Sequence, residues 1–180
     1  FVHGFPFYCV SIGLEVEGAL EIGVIYDPVR DRCYRARAGG GAFVNDERLS
    51  VSKTPTLGAS LISSGFAYDR RERPDDYLAF VRAFLVAAQG FRRCGSAAMD
   101  LAMVASGQLD GYWEFNLSPW DVAAGAVIVL VEENSTICLI DPSGNRLSRT
   151  WVPCILAENT FSTELTSLVR SGASSTVPAA

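Results

Sequence analysis

The ten residues Val122–Val131, VAAGAVIVLV, carry no polar side chain. They are too few to span a bilayer, which takes ~20. A helix that is apolar all round has to be covered all round. Such a segment demands a layered fold with one helix held between other elements. Its entrance is also specific. Ser118-Pro119-Trp120-Asp121 reads as a helix start, with Ser118 as N-cap, Pro119 as the first helical residue and Asp121 as the third-position acid of a capping box. An acid there also suits the positive end of the helix dipole. Capping by itself would explain Asp121. The other reading is a carboxylate that points into a cleft and holds a metal ion; the local pattern favours capping, and the rest of the chain has to decide.

The rest of the chain supplies the other layers. FYCVSIGLEVEG, ALEIGVIYDP, DRCYRARA, AFVND and RLSVS read as antiparallel strands joined by short turns. Gly39–Gly41 form a turn or bulge and not a phosphate loop, because neither G-K-[ST] nor a helical pattern follows. From residue 60 onward strands and helices alternate. SLISSGF, GFRRCGS, LDGYWEF, TICLID and CILAE are strand segments. PDDYLAFVRAFLVAAQ is an amphipathic helix with Tyr77, Phe80, Val81 and Phe84 on one face. SAAMDLAMVASG is a helix with Ser96 as N-cap, and TFSTELTSLVR is a last amphipathic helix. Antiparallel strands first and alternating units later predict a layered α/β or α+β domain over residues 1–170. The small, polar tail 171–180 reads as disordered.

Composition removes several classes. With 20 acidic against 15 basic residues and a net charge of −5, and with its cations scattered, the chain offers no nucleic-acid surface. Five widely spaced cysteines, no C-x-x-C and one histidine argue against a structural zinc site or a disulfide framework. Reduced, buried thiols in a cytoplasmic protein fit better. Phe1–Leu14 has neither a basic leader nor a small-residue cleavage site. The chain opens without Met inside a dense apolar segment, which reads as an amino-terminal truncation.

Four segments together carry a resemblance. NLSPWDVAAGAVIV fits W-D-x-[AS]-[AG]-G. CGSAAMDLAMVASGQLDGYWE fits G-[ST]-A-A … A-x-G … D-[AG]-Y-x-E. ARAGGGAFVNDERLSVS fits a G-x-G-A-[FY]-x-[NG]-x-x-x-[LI]-x-[VS]-S hairpin. FVHGFPFYCVSIGL is similar to the stretch that follows a D-P-x-D-G-[ST]-x-N motif. In this order and spacing, from Phe1 to about Val169, the chain resembles the inositol monophosphatase family.

The resemblance implies a sugar-phosphatase-like α/β sandwich of the inositol monophosphatase/fructose-bisphosphatase type, with its first helices missing. It implies Mg²⁺-dependent hydrolysis of a small phosphorylated polyol or sugar, inositol monophosphate first, by a homodimer; charge and hydropathy, not the resemblance, argue against nucleic-acid and membrane partners. Asp121 carries over as a Mg²⁺ ligand whose carboxylate also lies near a substrate hydroxyl. Glu114 carries over as a substrate-hydroxyl acceptor, and Gly95, Ser96 and Ala97 as a turn contacting the polyol. Capping and ligation at Asp121 need not conflict, since one oxygen can serve each. Trp120 is expected as a core aromatic beside the site, Tyr112 and Trp113 as packing residues, and His3 as structural or second to the site.

Two departures bear on these expectations. The family's E-A-G-G turn is replaced by VEENSTICLID, so the following strand register is in doubt. The helix and the D-P-x-D-G-[ST] loop that supply the family's other metal ligands would precede Phe1, which leaves Asp121 alone of that set. A fructose-bisphosphatase-like or nucleotide phosphatase is the alternative within the class, and a non-catalytic binding or oligomerisation module the alternative outside it. A cysteine hydrolase using Cys9 with His3 lacks a held base and an oxyanion site.

Overall fold

The structure, a computed structural model, describes residues 1–131 and the short strand at 138–139. Its first half is an antiparallel meander of β1 (Val10–Val16), β2 (Ala19–Asp27), β3 (Arg32–Arg37), β4 (Gly41–Val44) and β5 (Glu47–Arg48), paired in chain order. The β1–β2 turn takes positive φ at Glu17 and Gly18, which matches the twist of its flanking strands. Asp27 fixes the next turn. Its buried carboxylate accepts the Val29 and Arg30 N–H groups and pairs with the Arg30 guanidinium at 2.8 Å.

The second half alternates as the sequence predicts: β6 (Leu61–Ser64), α1 (Pro74–Ala87), β7 (Gly90–Arg92), α2 (Ala97–Ala105), β8 (Gly111–Glu114), α3 (Pro119–Leu130) and β9 (Cys138–Leu139). The four strands form a parallel sheet in the order β7-β6-β8-β9. Each helix is the crossover that a parallel return requires.

Helices α2 and α3 lie between the two sheets. Met99, Leu101, Val127 and Ile128 pack with Ile25, Tyr34 and Ala36 of the first sheet and Tyr112 of the second. Helix α1 covers the far face of the parallel sheet. There Phe84 stacks on Trp113 at 5.3 Å, and Phe80 meets Phe115 edge-on at 4.8 Å. Period-two alternation sorts β8 and the residue after it: Trp113 and Phe115 join the α1 core, while Tyr112 faces the middle layer with Glu114 beside it. Tyr112 and Trp113 are thus packing residues, as expected.

The wholly apolar helix is covered at very close range. A Cβ on Gly13 would lie 2.6 Å from Ala123 Cβ, one on Gly23 2.3 Å from the Ala124 carbonyl oxygen, and one on Gly125 2.4 Å from Leu101 Cδ1. Three glycines therefore let α3 sit directly on β1, β2 and α2.

Several expectations change. Trp120 is not a core aromatic: it is 74% exposed. The buried face of α3 begins at Val122, and Trp120 stands on the first turn, at the rim. Cys9, Cys33 and Cys94 are free but half-buried, not buried. His3 is exposed. No helix among the described residues is long and apolar enough to cross a membrane. The VEENST turn, the CILAE strand, the TFSTELTSLVR helix and the tail lie outside the described residues.

Replacing Gly23 by Ala should destabilise the fold by about 1–3 kcal/mol, since the added methyl meets backbone and not a movable side chain. Thermal and urea denaturation measure this. The same change at Gly58, whose φ is not positive and where an added Cβ meets nothing nearer than the Ala87 carbonyl oxygen at 3.8 Å, controls for the loss of glycine itself.

Candidate active site

Parallel sheets open a crevice beyond the carboxyl ends of their strands, where ligands bind. Here the ends of β6 and β8, the loop leaving β7, and the starts of α2 and α3 enclose a cleft of about 520 Å³. Gly95, Ser96, Ala97, Glu114 and Asp121 all line it. The sequence-derived candidates, spread over 27 positions, are brought to one place.

Glu114 is the last residue of β8. Tyr112, two residues back on the same face, donates its phenol hydrogen to Glu114 Oε2. Burial raises the Glu114 carboxyl above its ordinary value and Asp121 adds to the rise, while the Tyr112 hydrogen bond and the Arg93 guanidinium oppose it. Its seat is made by Gly65, just past β6. A Cβ at Gly65 would fall 2.0–2.2 Å from the Glu114 carboxyl atoms, so the carboxylate occupies the space that any side chain there would take.

The loop from Arg93 turns at Gly95, whose φ of +103° disfavours any side chain. Ser96 then caps α2, its Oγ accepting the Met99 N–H at 3.5 Å, with Cys9 Sγ 3.6 Å away. The α2 N-terminus thereby opens into the cleft, where backbone N–H groups favour anions and hydroxyl oxygens. Asp121 accepts the Ser118 N–H at 3.0 Å through Oδ2 and also lines the cleft. Capping and cleft lining coexist in one residue.

For a magnesium ion the donors match in kind, being carboxylate oxygens, but not in number. No group of three His, Cys, Asp or Glu side chains that could hold a metal occurs among the described residues. Cys9 does not provide an alternative chemistry. Burial pushes its thiol up, away from the thiolate a nucleophile needs, and His3 is not among the cleft-lining residues.

Sequence reasoning missed four participants. Gly65 had one signal, a glycine ending the SLISSGF strand. Asp100 had another, a charge inside the otherwise apolar AAMDLAMVA helix. Arg93 and Ser63 had none. Asp100 is only 1% exposed, and burial is the main reason its carboxyl is pushed up to about 7.

The chain matches the inositol monophosphatase family model over residues 1–171. It is 44% identical over 129 residues to an inositol-1-monophosphatase of Mesorhizobium japonicum, covering 72% of this chain and 48% of that protein. It is 43% identical over 131 residues to the Nus factor SuhB of Pseudomonas aeruginosa, with 72% and 48% covered. The structure of an inositol monophosphatase from Anabaena superimposes with a TM-score of 0.71 at 47% identity, covering 76% of this chain and 56% of the other. The chain thus spans about half the length of the curated relatives it matches.

Two outcomes follow from the site geometry. Gly65→Ala should expel the Glu114 carboxylate while leaving the sheet intact. A raised Glu114 carboxyl pKa then returns toward the ordinary carboxylate range, readable by carbon-13 NMR titration; an unmoved titration would contradict this packing. Asp100 holds its proton in the folded state up to about pH 7 but releases it near 3.8 when unfolded. Its contribution to stability is full below about pH 4 and is lost as pH rises toward 7, by up to about 1.4 kcal/mol per unit. Asp100→Asn should remove that slope from thermal melts run across this window.

Proposed function

The chain belongs to the inositol monophosphatase family, and from that premise we propose that its cleft serves Mg²⁺-dependent hydrolysis of a small phosphate monoester. Inositol monophosphate is the leading substrate among polyol and sugar phosphates. The observation that carries this reading is the convergence of Glu114, Asp121 and the Gly95–Ala97 turn at the carboxyl ends of parallel strands.

Asp121 is the residue that would hold magnesium. When bound, that ion supplies Lewis-acid polarisation of the phosphate and a more acidic water. The chain's own residues do the positioning. The Gly95–Ala97 turn and the α2 N-terminus offer N–H donors to substrate oxygens. Glu114, seated against Gly65 and held by Tyr112, accepts a substrate hydroxyl. Its orientation is fixed before substrate arrives, which is the main contribution such a group makes to rate. Free thiols at Cys9, Cys33 and Cys94 suit a reducing compartment and support a cytoplasmic location.

A second feature supports self-association. Val10, Ile12 and Leu14 of β1 are exposed, Ile12 by 60%, and pair across the strand with Tyr26, Val24 and Ile22. An apolar stripe on an edge strand is a docking surface or a liability. Its occupant in this reading is a second copy of the chain.

With one magnesium-ligand carboxylate among the described residues, the 180-residue chain alone should release no measurable phosphate from inositol monophosphate. Extended to the length of its relatives, it should show magnesium-dependent turnover. Asp121→Asn should then lower kcat at least ~10²-fold, by analogy with losing one charge-stabilising group. Turnover by the short chain, or indifference to Asp121→Asn, would refute the assignment. Light scattering at rising concentration should show dimers or larger species, and Ile12→Lys should shift them toward monomer.

A further inference from the structure

Asp100 lies behind the substrate turn, and the reaction proposed above gives it no task. Its Oδ1 is 2.7 Å from Ser63 Oγ. Ser63 Oγ is in turn 3.4 Å from the Arg92 carbonyl oxygen and 4.0 Å from Cys94 Sγ. A single side chain of the middle layer thus reaches β6 and, through Ser63, the end of β7 where the turn begins. Asp100 Oδ2 is buried and has no hydrogen bond of good geometry among the described residues, although the Cys94 thiol is near enough to favour the ionised form. No arginine or lysine among them forms an ion pair with it. A charged oxygen in that position is far costlier than a neutral one.

The hydroxyl of Ser63 has one hydrogen and two oxygen acceptors beside it, with the Cys94 sulfur a weaker third. If Asp100 is ionised, that hydrogen goes to Oδ1 and the Arg92 carbonyl, which keeps its ladder partner on β6, loses the serine as a second donor. If Asp100 carries a proton on Oδ1, it donates to Ser63 Oγ and frees the serine hydrogen for Arg92. Only the neutral acid completes a chain from α2 through β6 to the β7 carbonyl. We propose that Asp100 is a positioning residue for the Gly95–Ala97 turn, acting as a neutral acid whose ionisation breaks this relay and loosens the turn.

The surroundings set the balance. Burial and the Glu114 carboxylate of β8 favour the neutral form, while Ser63, Cys94 and Arg93 favour the ion, and the switch lies at about 7. The substrate-binding consequence rests on the phosphatase reading; the conformational one does not.

Two measurements separate them. In the nitrogen-15-labelled 180-residue chain, the amide resonances of Gly95, Ser96 and Ala97 should titrate with a midpoint near 7. In Asp100→Asn, whose amide donates permanently to Ser63, they should stay at the low-pH positions. In Asp100→Ala they should be displaced at every pH. Turn amides that do not move in the wild type, or that titrate equally in Asp100→Asn, would overturn the proposal. In the chain extended to its relatives' length, KM for inositol monophosphate should rise from pH 6 to pH 8 about tenfold more in the wild type than in Asp100→Asn, as the competent fraction falls about tenfold. The kcat ratio of the two should stay level. Equal KM profiles with Asp121-dependent turnover would overturn the role of Asp100 in binding. Absence of Asp121-dependent turnover would instead overturn the phosphatase reading, with the amide titration still deciding the positioning role.

Discussion

The fold depends on how closely α3 is held. Gly13 and Gly23 bring two strands of the antiparallel sheet against Ala123 and Ala124, and Gly125 brings α2 against the opposite side. At such range a methyl group is the difference between packing and collision. The helix is therefore fixed in rotation as well as in place. Its N-terminus carries Asp121, so the same contacts that bury VAAGAVIVLV set the carboxylate at the cleft. Ser11 of β1 adds a link, its hydroxyl donating to the Trp120 carbonyl at 3.4 Å. Core packing and site geometry are one constraint seen from two ends.

The parallel sheet contributes the other half. Its register places Ser64 beside Trp113, which sets Gly65 against Glu114. The alternation that sends Trp113 and Phe115 into the α1 core sends Tyr112 and Glu114 to the opposite face. A one-residue slip of β8 would exchange the two sets. The aromatic cluster under α1 thereby acts on function, because Trp113 locks the register that aims Glu114.

Much of this was legible in the sequence. Apolar periodicity, caps and turn residues located the three described α-helices but not the short 3-10 turns at Leu57–Ala59 and Tyr68–Arg71, and the shift from hairpins to alternating units anticipated the two sheets. The motif spacing singled out Glu114, Asp121 and the Gly95 turn. What stayed illegible has a common physical character. Trp120 looks like a core residue because its type is apolar, yet exposure is decided by where the helix starts relative to the layer. Gly65 and Ser63 act through neighbours 49 and 37 positions away, and nothing local marks such partners. Asp100 stood out as a charge in an apolar helix, but its role needed the buried distances.

The charge distribution joins these parts. Asp100 and Glu114 are both raised chiefly by burial. Glu114 further raises Asp100, Asp121 further raises Glu114, and Arg93 opposes both shifts. In a partly dry cleft, like charges drive proton uptake unless a cation is present. A cation held at Asp121 would therefore oppose the rise at Glu114 and favour its ionised form. Asp100 is buried and does not line the cleft. The arrangement thus separates two carboxyls by depth: Glu114 lines the cleft, where a cation would act on it, and Asp100 lies buried behind the turn. Burial does both, because the same desolvation that makes Glu114 responsive to a nearby cation makes Asp100 reluctant to ionise without one.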